Sequence, residues 1–243
     1  MSLVVRTSWS LALVAALCLA SAQEARAAAV WQVLSVQVQG DPQAWLDRVK
    51  QANVIRKRLN VAPVRVAQAT LAGELTGTYF IDSEYPSLAA YADAVAKLEA
   101  DAEWQALLER FRAAAESTVV ASALYVDRTP AGVKASQLAP GGYATGLAIR
   151  VEGDPSAYLA LLPKIEAAFQ RVGVPAARVW QATLAGPATG TYVITTAYPG
   201  LGAYQEAQKK LEGDAEFQKL VREAEATGRE IVSSLMVRER TPR

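Results

Sequence analysis

The residues of this chain able to do chemistry fall into two groups, repeated acids and repeated polar strand positions. Asp101 and Glu103 return as Asp214 and Glu216, a spacing that suits paired carboxylates for proton transfer or for a metal. Both pairs directly precede apolar helical stretches. There an acid caps the first turn and complements the helix dipole, so capping is the expected role. The polar strand positions are Ser35, Gln37, Gln68, Thr70, Arg150, Gln181 and Thr183. Alternation puts Ser35 and Gln37 opposite the apolar Leu34, Val36 and Val38. Gln68 and Thr70 share a face with Val66, as Gln181 and Thr183 do with Val179. These seven are the expected ligand-binding residues, lining a cleft between two repeats. The blander expectation is that they pack one sheet on another. Arg150 stands where the first copy has Gln37, so the pocket should be asymmetric, with any bound anion on Arg150.

Absences narrow the chemistry further. The chain has no histidine, the commonest general base and metal ligand. Its one cysteine, Cys18, lies in an N-terminal apolar run, so the mature protein has neither a thiol nucleophile nor a disulfide. Metal and cofactor are both expected to be none. The net charge of +1 falls to zero once the leader is removed, and no basic patch stands out. Nucleic acid is therefore not an expected partner. Gly73, Gly77, Gly186 and Gly190 could suggest a phosphate loop. No strand–glycine–helix fingerprint accompanies them, and they read as turn glycines.

The elements that must position these residues come in two copies. "QATLAGELTGTYFIDSEYP" at positions 68–86 returns as "QATLAGPATGTYVITTAYP" at 181–199, identical at 13 of 19 positions. Gly40-Asp41-Pro42 returns as Gly153-Asp154-Pro155, and Arg128-Thr129-Pro130 as Arg240-Thr241-Pro242. Each copy reads strand, helix, strand, strand, helix, strand. The alternating run at 31–39 is followed by Asp41 as a helix cap and Pro42 at the first helical position. Pro163 falls inside the equivalent helix of the second copy and predicts a kink. The expected divisions are a leader over 1–27, a repeat over 28–130, a linker over 131–142 and a repeat over 143–243.

The leader has Arg6 ahead of an apolar run, "WSLALVAALCLA", too short to span a bilayer. Small-residue cleavage sites follow, after position 22 or 27. Leu17 precedes Cys18 where a lipoprotein signal needs a small residue. A periplasmic or secreted protein is expected, with no membrane attachment after cleavage.

A doubled β-α-β-β-α-β unit is α+β: two ferredoxin-like repeats whose sheets pack on each other as an intrachain α/β barrel. Together with "YPSLAAYADAVAKLEADAEWQALLERF" at 85–111, it resembles the dimeric α/β-barrel superfamily. That superfamily includes antibiotic-biosynthesis-type monooxygenases and NIPSNAP-like proteins. The resemblance covers about 31–129 and 143–241 and implies a fold more than an activity. It includes haem-binding members with histidine ligands, and here a haem would need tyrosine or methionine. The expected function is an exported, non-catalytic protein that binds a small ligand between its repeats or serves as an interaction module. The alternative is a cofactor-independent, monooxygenase-like enzyme acting on an aromatic or quinone-like substrate.

Overall fold

Alternating apolar residues in each copy build four strands, and helices cover the outer face that carries them. The computed structural model describes residues 28–243, so the expected leader and its expected cleavage sites lie outside the described residues. The first repeat runs β1 (Val30–Val38), α1 (Pro42–Arg58), β2 (Arg65–Leu71), β3 (Tyr79–Tyr85), α2 (Leu88–Glu99), α3 (Ala102–Ala114) and β4 (Ser117–Asp127). The second runs β5 (Tyr143–Val151), α4 (Ser156–Leu159), α5 (Leu162–Val172), β6 (Arg178–Leu184), β7 (Tyr192–Tyr198), α6 (Leu201–Gly213), α7 (Ala215–Glu225) and β8 (Arg229–Glu239). The eight strands close in the order β1-β3-β2-β8-β5-β7-β6-β4. The two sheets are thus one continuous barrel, with each repeat lending its last strand to the other at a seam.

Local signals place the helices. Asp41 accepts from Gln43 N at 2.9 Å, with Pro42 as the first helical residue. Asp101 and Asp214 accept from the backbone N–H groups of Trp104 and Phe217. Those bonds, followed by an arginine partner, hold both carboxyls below the usual carboxylate range. The partners are Arg58 and Arg171, at 2.8 and 2.7 Å. Asp101 and Asp214 are caps, fastened by these arginines to α1 and α5. Pro163 does more than kink: it lacks the N–H that Leu159 O would accept, and the helix splits into α4 and α5 around Ala160 and Leu161.

The core lies between the helices and the outside of the barrel. In the first repeat Trp45, Val49, Val36, Val66 and Tyr79 pack together. In the second, Ile149, Tyr158, Leu162, Val179 and Tyr192 do the same. Val66 and Val179 are buried against helices, and this settles the orientation of β2 and β6. The face carrying Gln68, Thr70, Gln181 and Thr183 turns outward, away from the barrel interior.

The polar and glycine positions that the two copies of this stretch share are therefore scaffold. Thr70 and Thr183 sit at register shifts in the two seams, β2–β8 and β6–β4. Each hydroxyl donates across its seam, to Met236 O at 3.2 Å and to Leu124 O at 3.0 Å. Thr241 and Thr129, from the repeated Arg-Thr-Pro, accept from Val66 N and Val179 N at 2.9 and 3.0 Å. Gly73 and Gly186 begin a tight turn at φ +57° and +55°, a conformation that favours glycine.

Candidate functional site

The inward face of the barrel carries Trp31 and Val33 on β1, Arg65 and Ala67 on β2, and Phe80, Asp82 and Glu84 on β3. From the second repeat come Ala144, Gly146 and Ala148 on β5, Arg178 and Trp180 on β6, and Val193, Thr195 and Ala197 on β7. Together with Tyr125 on β4 and Leu235 and Val237 on β8, they enclose a cavity of about 190 Å³.

Its two sides differ in bulk. Trp31, Tyr125 and Trp180 stand on three adjacent strands around the β6–β4 seam. Trp31 lies 5.1 Å from Trp180 between centroids, nearly parallel at 29°, and 5.1 Å from Tyr125. The Arg178 guanidinium lies 4.1 Å from the centre of the Trp180 ring. At the opposite seam the equivalent positions hold Ala144, Val237 and Ala67. The space that aromatic rings fill on one side is open on the other, and that difference is the cavity.

A charged network closes one end. Arg65 reaches Asp82 and, at 2.8 Å, Glu84. Arg178 reaches Glu84 at 2.6 Å and Asp127 at 3.0 Å. Asp82 is buried, only 9% exposed. Its Oδ1 accepts from Trp31 Nε1 at 2.9 Å and from Arg65 Nε at 2.8 Å. Burial pushes the Asp82 carboxyl up despite these donors. The Glu84 carboxyl, shared by two guanidiniums that outweigh its own burial, is held below the ordinary glutamate value.

The linker also belongs to the site. Ser136, Gln137 and Leu138 line the cavity. Ser136 Oγ accepts from Ala197 N, and Ser136 N donates to Ala176 O, each at 3.2 Å. The segment at 131–142 is a strap over the barrel end.

The residues expected from sequence to bind a ligand do not line this cavity. Ser35 and Gln37 follow Trp31 and Val33 on β1, toward the opposite end of the barrel, where Gln37 is exposed. Gln68, Thr70, Gln181 and Thr183 are on the outer face, and Gln181 accepts from Arg128 Nε at 2.9 Å. Arg150 is exposed, 3.8 Å from Glu230, and anchors nothing inside. Alternation separates two faces but does not say which is inner. Val66 and Val179 decided that, by burial against helices. The residues missed, Trp31, Asp82, Glu84 and Trp180, carried a signal, since each departs from its counterpart in the other repeat.

No protein-family model matches the chain, and no curated protein matches its sequence. Solved structures do match its shape. A proposed monooxygenase from Fusobacterium nucleatum subsp. nucleatum superposes with a TM-score of 0.59 at 13% identity, over 88% of this chain and 93% of that one. A second, from Lactobacillus acidophilus, gives 0.57 at 6% identity over the same shares. A chlorite dismutase point variant from Candidatus Nitrospira defluvii gives 0.52 at 12%, over 87% and 91%. The fold is that of the dimeric α/β barrels. In this chain both halves of the barrel come from one polypeptide.

The cavity of this α/β barrel does not fit a haem. Axial donors are histidine, cysteine, methionine or tyrosine. The lining offers only Tyr125, whose ring packs against Trp31.

Proposed function

We propose that the mature protein is an exported, non-catalytic binding protein that holds a small, flat, largely apolar molecule inside its barrel. The observation that carries this reading is the lopsided filling, an aromatic wall facing alanine and glycine. An apolar cavity near 150 Å³ is enough to take up benzene, and this one is somewhat larger. Flat ligands gain from stacking on Trp31 and Tyr125, while Asp82, Thr195 and Ser233 supply polar edges. The test is quenching of tryptophan fluorescence by small arenes such as naphthalene. Wild type should bind saturably. Ala144→Trp, which copies Trp31 into the hollow seam, should not. Equal binding by this variant would place the ligand elsewhere and defeat the reading. Export is tested by sequencing the N-terminus of protein recovered outside the cytoplasm, with position 23 or 28 expected first.

One observation favours a second reading, a cofactor-independent monooxygenase acting on an aromatic or quinone-like molecule. The Asp82 carboxyl lines the cavity with a raised proton affinity, as a general base requires. Oxygen uptake with quinols, lost in Asp82→Asn, would establish catalysis in place of simple binding.

A further inference from the structure

Asp82 is unevenly used. All of its hydrogen bonds, from Trp31 Nε1 and from Arg65 Nε and Nη2, arrive at Oδ1. Among the described residues none arrives at Oδ2. Nor is Oδ2 one of the fully buried unpartnered side-chain atoms of the described residues, which are Arg229 Nε and Arg238 Nε. A largely buried residue that lines the cavity thus keeps one carboxylate oxygen without a donor.

The charges around it do not balance. Arg65 and Arg178 supply two positive charges, and Asp82, Glu84 and Asp127 supply three negative ones, leaving a net charge of −1. Both guanidiniums are already engaged by carboxylates, and Asp82 has to share Arg65 with Glu84. A buried charge whose only cation is shared is incompletely compensated, and a bound cation adds a second partner. The walls suit a cation as well, because Trp31, Tyr125 and Phe80 are among the lining residues and aromatic rings attract cations. Arg178 already lies over Trp180 in this manner. The second repeat lacks two of these three acids, with Thr195 and Ala197 at the positions of Asp82 and Glu84 and only Glu239 matching Asp127.

We propose that the cavity selects a small organic cation, a protonated amine on a flat apolar body, whose N–H donates to Asp82 Oδ2. This rests on the cavity being the ligand site, and it goes further by fixing the sign of the ligand's charge. A carboxylate of the same shape meets the surplus negative charge and is rejected. A neutral alcohol keeps the hydrogen bond and loses the charge pairing.

The experiment titrates the mature protein with 2-phenylethylamine, 2-phenylethanol and 3-phenylpropionate, and with naphthalene as a neutral control. The amine should bind about tenfold more tightly than the alcohol, as a charge-assisted hydrogen bond implies, and the carboxylate most weakly. In Asp82→Asn the advantage of the amine should shrink to about twofold or less. Should that variant not fold, Glu84→Gln removes the surplus charge while keeping Asp82, and must itself reduce the advantage. A carboxylate that binds as tightly as the amine overturns the proposal. So does an advantage that survives both substitutions. Naphthalene binding with no binding of the amine overturns the proposal and leaves the cavity reading intact. No binding of any of the four overturns both.

Discussion

At the β6–β4 seam Trp31, Tyr125 and Trp180 interlock across three strands, whereas at the β2–β8 seam the same positions hold Ala144, Val237 and Ala67. The backbone at the two seams is nevertheless closed by the same devices. Thr183 and Thr129 hold one, and Thr70 and Thr241 hold the other, at distances that agree within 0.2 Å. The difference teaches what a duplicated barrel is free to change. The hydrogen bonds that join one repeat to the other must be kept in both copies, because an unpaired strand edge there would open the sheet. The inward side chains have no such duty, provided that the outer core holds the fold. Divergence therefore accumulates inside, and it leaves a cavity off centre, between an aromatic wall and a hollow one.

The sharpest way to break this comparison is to empty the filled seam. Trp180→Ala should cost about 3–5 kcal/mol, as large-to-small changes at buried aromatics do. Val237→Ala at the hollow seam, which removes two methyl groups, should cost about 1.5 kcal/mol. Urea denaturation of both variants checks this, and equal losses would mean that the two seams are packed alike. Next in size are the shared clips. Thr129→Val and Thr241→Val each strip an acceptor from one strand N–H and should each cost about 1–2 kcal/mol. Their equality, more than their size, is the expectation, and a difference above about 1 kcal/mol between them would show that the closures are not equivalent.

A smaller effect comes from Asp82 and Glu84, acids that only the first repeat carries at these positions. The depressed Glu84 carboxyl contributes stability above its ordinary value of 4.5, and that contribution is lost as pH falls through its lowered folded value. Asp82 has the opposite sign. Its raised carboxyl takes up a proton in the folded state before the unfolded chain does, so its contribution to stability grows as pH falls from neutrality. Glu84→Gln should therefore be less stable than wild type at pH 7, and the gap should narrow as pH falls below 4.5. A gap independent of pH would assign the loss to packing. The smallest effect is expected at Gly146. A Cβ there would meet Leu235 Cδ1 at 3.2 Å, so Gly146→Ala should change stability by no more than about 1 kcal/mol. It should still weaken uptake of a flat ligand, because the added methyl occupies the hollow side.

Much of the scaffold was legible along the chain. Asp41, Asp101 and Asp214 cap the helices that follow them, because a cap is a contact between residues two or three apart. Pro163 announced a defect and produced a break, since losing one N–H acts on the turn that contains it. The candidate site was less legible. Gln68 and Thr70 alternate with Ala67 and Ala69, and a one-residue change of facing exchanges the inner set for the outer one. Arg150 has the right parity on β5 up to the register shift after Ala148, yet it lies near the open end of the strand, beside Glu230.

By itself the sequence determined the repeat, the β-α-β-β-α-β order, the caps and the turns, because these depend on composition and on contacts short in sequence. It also excluded histidine chemistry, since no fold can supply a residue that the chain lacks. Only the tertiary structure decided that the two sheets merge into one barrel, and that Val66 and Val179 turn their strands' polar positions outward. It alone set Glu84, on β3, against Arg178, on β6, 94 positions away. These are contacts between segments distant in the chain, selected by which arrangement buries the most apolar surface while pairing every strand edge. The cavity belongs to this second kind: it is the volume left where Trp31 and Trp180 meet Ala144 and Ala67 across a closed sheet.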